Sequence, residues 1–116
     1  MIYLYWVNNM QLILNNEKIE IKYANKFIDR LMGLMGKKSI TYGMLFPKCN
    51  SIHTFFMKDN IDILGLDKNN QVIYIYRDCP KNRIVKASLD YKNTSILELP
   101  KNTSKGISVG SILKFQ

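Results

Sequence analysis

The chain has little of what metal sites and disulfide-stabilised folds require. It contains two cysteines, Cys49 and Cys79, and a single histidine, His53, among 116 residues. A structural zinc site takes four Cys or His ligands, so the sequence excludes one, and we expect no metal and no cofactor. The cysteines form no C-x-x-C motif. We expect both thiols to be reduced and not bonded to each other.

Long hydrophobic runs are also missing. The apolar stretch at residues 2–7 is too short for the hydrophobic part of a secretory signal, and no other stretch approaches the length of a membrane span. The sequence therefore predicts no transmembrane segment and a cytoplasmic location. The chain length predicts one domain over residues 1–116, in which residues 1–10 form an N-terminal strand or tail.

Negative charge is scarce, because 9 acidic residues face 17 basic ones and the formal net charge is +8. Such an excess suggests an anionic partner. However, the basic residues are scattered along the chain, and the densest stretch, residues 77–92, is interrupted by Asp78 and Asp90. No aromatic-rich RNA-binding signature is present. We therefore do not expect nucleic acid as the partner, and weak nucleic-acid or anionic-polymer binding is only a second alternative.

Most of the chain has the pattern of short strands joined by tight turns. Residues 18–23 alternate between apolar and charged side chains, and Asn15-Asn16 before them is typical of a hairpin turn. A second hairpin is predicted at residues 61–66 and 72–77. Its second strand is apolar on both faces, so we expect it to be central in a sheet.

One helix is predicted at residues 26–35, where apolar side chains recur at helical spacing after Asn25, a suitable N-cap. Phe27, Leu31 and Leu34 would pack this helix on the sheet. The predicted fold class is α+β, mostly β: a small barrel-like or strongly curled sheet of about seven or more short strands, with one helix packed at one end.

Several segments go beyond generic pattern: residues 30–36 (RLMGLMG), 43–46 (GMLF), 49–58 (CNSIHTFFMK), 61–67 (IDILGLD) and 97–100 (LELP). In order and spacing they resemble the domain of unknown function 192 family, across roughly residues 20–115. The resemblance implies a compact β-rich fold with one helix and no established activity. It also implies an alternative location, since many similar proteins are exported or lipid-anchored. The chain departs from the common pattern at Gly65 and at Asp59-Asn60.

The candidate ligand-binding residues are Arg30, His53, Lys58 and Asp62. Asp62 interrupts an apolar strand, where an ionised carboxylate needs a partner or several hydrogen bonds. Arg30 is the cation best suited to pair with it, either as a buried ion pair or beside it in an open groove. A tight hairpin would place His53 about 13 Å from Asp62, which favours a structural histidine over a catalytic dyad.

From these residues we predict a small non-enzymatic ligand-binding or accessory module with a polar groove near Arg30, His53 and Asp62. We assign no catalytic residue. The alternative is a hydrolase or lyase that uses His53 and Asp62. The sequence does not distinguish a small-molecule partner from a protein partner, and it leaves the oligomeric state open.

Overall fold

The computed structural model describes residues 9–15, 17–24 and 40–116. Seven strands form one sheet that curls into a half-barrel, in the order β6-β5-β8-β3-β2-β1-β9, and β4 and β7 form a separate two-stranded sheet. The strands are β1 (Asn9–Leu14), β2 (Glu17–Tyr23), β3 (Gly43–Phe46), β4 (Ser51–His53), β5 (Ile61–Leu66), β6 (Val72–Cys79), β7 (Ile84–Lys86), β8 (Ser95–Pro100) and β9 (Lys114–Phe115).

The fold class is β, so the α+β prediction is wrong. Within the described residues every helix or strand element is a strand. The helix predicted at residues 26–35, with Phe27, Leu31 and Leu34, lies outside them. The described part has two layers, and both are sheets. The β4–β7 sheet packs on the larger sheet through Ile52 and Val85.

Two hydrophobic clusters lie on opposite faces of the large sheet, because alternate residues of β5 and β8 point to opposite sides. The first cluster consists of Leu12, Ile21, Leu45, Leu64, Leu66, Val72, Leu97, Leu99, Ile107 and Leu113. The second cluster consists of Ala24, Met44, Phe46, Met57, Ile61, Ile63, Cys79, Val85 and Ile96. Both faces of β5 and β8 are therefore buried, and these two strands form the core of the fold.

The hairpin of β5 and β6 forms as predicted, but β6 is not central. It is an edge strand at one end of the sheet order, and one of its apolar side chains, Ile73, is exposed. Segment 108–113 lies beside the first residues of β6: the Val72 N–H donates to the carbonyl of Ser111, and the Gly110 N–H donates to that of Val72. The apolar side chains of β6 pack from the edge of the sheet against both hydrophobic clusters, Ile75 against the first and Tyr74 and Tyr76 against the second.

A β-bulge interrupts β6 opposite Asp62. Ile61 pairs with Cys79 and Ile63 pairs with Tyr76, so β6 contains one more residue than β5 between these pairs. Asp78 lies in the bulge with a left-handed backbone angle, φ 54°. A bulge leaves a backbone group without its ladder partner and redirects the strand. Here it redirects the chain toward residues 80–83.

Gly65 allows the two sheets to approach each other. A Cβ atom at this position would lie 2.7 Å from the Cβ atom of Ala87 and 3.2 Å from that of Tyr74. Ala87 follows β7, and its N–H donates to the carbonyl of Asn50 just before β4. The departure from the family pattern at Gly65 therefore has a packing reason, because a larger side chain would separate the β4–β7 sheet from β5.

We predict that Gly65→Val lowers the free energy of unfolding by about 1–3 kcal/mol, because the added side chain overpacks this contact. Urea unfolding measures the loss. The double variant Gly65→Ala/Ala87→Gly should be more stable than Gly65→Ala alone, since it removes the Cβ atom that the new methyl group meets. A loss below about 0.5 kcal/mol for Gly65→Val would show that the sheets are not in close contact here.

Candidate functional site

Asp62 is a buried carboxylate whose hydrogen bonds are made inside the protein. Its side chain is 1% exposed and lies on the face of the first cluster, as Leu64 does two residues later. Oδ1 accepts the Asp78 N–H at 2.8 Å, and Oδ2 accepts the N–H of Ser104 at 3.1 Å and its hydroxyl. The carboxylate thus joins β5 to the bulge in β6 and to the turn after β8.

The predicted contact between Arg30 and Asp62 stays a prediction, because Arg30 lies outside the described residues. An ionised group in an apolar strand needs a partner or several hydrogen bonds. Three donors from Asp78 and Ser104 already provide those hydrogen bonds.

Glu98 is a second buried carboxylate, and it is not among the site residues predicted from the sequence. It is 3% exposed and pairs across the sheet with Ile63 and Met44. By the alternation of β8 its side chain lies on the face of the second cluster, opposite to that of Asp62. The signal that could have found it is the same one that marked Asp62, a single charge between apolar residues of a strand.

Thr54 holds the segment after β4 against the loop that precedes β7. It is fully buried, and its hydroxyl donates to the carbonyl of Pro80 at 2.8 Å and accepts the Arg83 N–H at 2.8 Å. Its own N–H donates to the Arg83 carbonyl at 2.8 Å, and its carbonyl accepts the Asn82 N–H at 3.3 Å. These bonds fix the backbone on which the next two residues stand.

An exposed surface of aromatic and apolar side chains, which we call the aromatic surface, consists of His53, Phe55, Phe56 and Ile84. The rings of His53 and Phe55 stack with centroids 5.0 Å apart and planes 23° apart. Phe55 is 37% exposed, Phe56 77% and Ile84, the pairing partner of His53, 76%. Phe56 has a left-handed backbone, φ 65°, which is rare for a residue with a bulky side chain.

His53 uses one ring nitrogen to fix this surface. Nδ1 accepts the N–H of Phe55 at 3.2 Å, so in the neutral ring the proton is on Nε2. The side chain is exposed, and Nε2 is the ring atom that can donate to a ligand. His53 therefore both orders the turn and presents a donor.

Five exposed cationic residues lie in the two segments that carry the aromatic surface, although basic residues are scattered along the sequence. Residues 47–58 and 80–87 contain no acidic residue. The pairing of β4 with β7 joins these two segments, for example at Ser51 and Lys86. We call their five cationic side chains the basic rim. The basic rim consists of Lys48, Lys58, Lys81, Arg83 and Lys86, all of which are exposed.

The structure separates His53 from Asp62. The β4–β7 sheet covers the face of the second cluster, whereas the Asp62 carboxylate lies on the face of the first cluster. These two side chains do not form the dyad that a hydrolase or lyase would need. Lys58, in contrast, lies exposed on the same segment as His53.

The two cysteines form no disulfide, as predicted. Cys79 is buried in the second cluster, and this burial raises the pKa of its thiol. A raised thiol pKa leaves less of the reactive thiolate at neutral pH. Cys79 is thus a core residue and not a nucleophile for the aromatic surface.

We predict that Asp62→Asn lowers the free energy of unfolding by about 1.5–3 kcal/mol, because an amide cannot accept all three hydrogen bonds and one donor is left buried without an acceptor. Chemical unfolding measures the loss. Ser104→Ala should cost less, and the double variant should lose less than the sum of the two single losses, because the residues share a bond. Strictly additive losses would contradict the assignment.

Comparison with known proteins places the chain in a family. The model of domain of unknown function 192, described as Uncharacterized ACR, matches residues 10–115. The UPF0127 proteins of Pyrococcus horikoshii and Pyrococcus furiosus are 42% and 36% identical to this chain over 60 and 62 residues, which is 47% and 48% of its length. The matched stretch spans 51% and 53% of those proteins, so the chain matches about half the length of these curated relatives.

Two crystal structures share the fold. A protein of unknown function from Novosphingobium aromaticivorans has a TM-score of 0.72 and 16% identity, over 93% of this chain and 83% of that one. A candidate transcription regulator from Sinorhizobium meliloti has a TM-score of 0.69 and 18% identity, over 93% and 91% of the two chains. At these identities the likeness shows the fold alone.

Within residues 9–15, 17–24 and 40–116, no helix is long and apolar enough to cross a membrane.

The family match covers nearly the whole chain and includes the segments on which the resemblance rested. The chain therefore belongs to the domain of unknown function 192 family, whose curated members are named UPF0127 proteins.

Proposed function

We propose that this chain is a non-enzymatic binding module that contacts its ligand through the aromatic surface and the basic rim. The observation that carries the proposal is the conformation of Phe56, a residue that is 77% exposed and has a left-handed backbone. The left-handed region costs an ordinary residue about 1–2 kcal/mol. Strain of this kind clusters at binding and catalytic sites, where the side chain is needed in that position.

The contacts around Phe56 support a surface that is ordered before the ligand arrives. Thr54 fixes the backbone on one side through its bonds to Pro80 and Arg83, and His53 fixes Phe55 through a hydrogen bond and ring stacking. Ordering side chains at the moment of binding costs free energy. A pre-ordered surface avoids much of that cost, which favours a binding role over a purely structural one.

Two of the four candidate residues belong to this proposed surface. His53 would contribute its ring and the Nε2 donor, and Lys58 would contribute charge at the rim. Asp62 would act indirectly, because its carboxylate holds the bulge from which the chain continues to residues 80–83. Any contribution of Arg30 to an adjoining polar groove stays a prediction.

The test uses 1-anilinonaphthalene-8-sulfonate, a fluorescent probe that combines an aromatic system with a negative charge. We expect saturable binding to the folded protein, and we expect Phe56→Asn to weaken it about tenfold or more. Asparagine tolerates the left-handed backbone, so the same variant should be more stable than the parent by about 1 kcal/mol. Thermal and chemical unfolding check the second expectation.

The matched control is Val109→Asn, which changes an apolar side chain that is 64% exposed in another turn. It should leave probe binding unchanged. Equal binding by the parent and Phe56→Asn would contradict the proposal, as would a loss of stability in Phe56→Asn. The second result would mean that the ring is retained for packing.

A further inference from the structure

We propose that the ligand class is single-stranded nucleic acid, with bases stacked on the rings of Phe55 and Phe56 and phosphates bound by the basic rim. This inference rests on the proposed function, because it names the chemistry of the ligand for the same surface. It combines two features that proteins binding single strands use together, exposed aromatic rings and a positively charged track.

The rings provide flat faces for bases. The Phe55 ring stacks on that of His53 with centroids 5.0 Å apart, and Phe55 is still 37% exposed. Phe56, the next residue, is far more exposed, and Ile84 extends the apolar area beside His53. Stacking of one base on an aromatic side chain changes affinity by about five- to 150-fold and works with any base.

The charges match a phosphate backbone. Arg83 is joined to Thr54 through backbone hydrogen bonds, so its side chain starts next to the residue that precedes Phe55. Lys58 follows Phe56 by two positions, and Lys86 pairs with Ser51 at the other end of β4. Cations therefore begin on both sides of the rings, and the two joined segments contain no acid that would repel phosphate.

The same features favour a single strand over a duplex. In a duplex the faces of the bases are already stacked on their neighbours, so exposed rings have nothing to stack on. Phe55 and Phe56 would then add little, and only the basic rim would bind. A duplex should consequently bind more weakly and without dependence on Phe56.

Fluorescence anisotropy with a labelled oligothymidylate of about ten nucleotides tests the inference, with a hairpin duplex of equal charge for comparison. We expect the single strand to bind more tightly. If three cations contact phosphates, the plot of log K against log salt should have a slope of about −2. Phe56→Asn should reduce affinity about tenfold and leave this slope unchanged. Arg83→Gln should make the slope shallower by about 0.7.

Lys68→Gln is the matched control for charge, because Lys68 is an exposed lysine in the turn between β5 and β6. It should leave the salt slope unchanged. Equal affinity for single strand and duplex, with no effect of Phe56→Asn, would overturn the inference, because binding would then reflect net charge alone.

Further outcomes separate this inference from the proposed function. If Phe56 is needed for anilinonaphthalene sulfonate binding but oligothymidylate and oligouridylate do not bind, the nucleic-acid inference fails and the proposed binding module stands. Phe56-dependent binding to phosphatidylglycerol vesicles without oligonucleotide binding would replace nucleic acid with an anionic membrane surface. If the parent protein binds neither the dye nor the oligonucleotides, both proposals fail.

Discussion

The carboxylate of Asp62 is the contact on which the arrangement of the described chain depends. It joins three parts that are distant in sequence: the buried strand β5, the bulge of β6 and the turn that follows β8. A buried charge is expensive unless its hydrogen bonds are made, and here the N–H groups of Asp78 and Ser104 and the Ser104 hydroxyl make them. These hydrogen bonds offset the free-energy cost of burying the charge, and the one from Asp78 also fixes the bulge.

The bulge links this interior contact to the exposed surface on the other side of the sheet. Beyond Asp78 the chain runs through Cys79 in the second cluster to Pro80, whose carbonyl accepts the Thr54 hydroxyl. Thr54 in turn is bonded to Arg83 and is followed directly by the two exposed phenylalanines. We infer that the hydrogen-bonded carboxylate of Asp62 in the interior positions the exposed turn that contains Phe56, although the two are not in contact.

Part of this could be predicted from the sequence, because local patterns specify local structure. The alternation at residues 18–23 predicted β2, the hairpin of β5 and β6 was found, and the distinctive segments indicated the family that the comparison confirmed. The need of Asp62 for hydrogen-bond partners also followed from its apolar neighbours. The identity of those partners did not, because Ser104 is 42 residues away and the Asp78 N–H is exposed to Asp62 only by the bulge.

The features that could not be predicted depend on long-range pairing. The position of β6 at the edge of the sheet is set by the order in which distant strands pair, and the basic rim forms only when β4 pairs with β7. The left-handed conformation of Phe56 could not be predicted from the sequence, because bulky residues rarely adopt a positive φ. The predicted α+β class was wrong because the described residues build both layers from strands.

Amide hydrogen exchange in the Asp62→Asn variant, under conditions in which it is folded, tests the link between carboxylate and surface most directly. If the bulge positions the loop, exchange should accelerate at Asp78 and Ser104 and also at Thr54 and Arg83, whose amides bond across the loop. The amides between β1 and β2 should keep their protection and serve as the internal control. Acceleration at Asp78 and Ser104 with unchanged exchange at Thr54 and Arg83 would contradict the account.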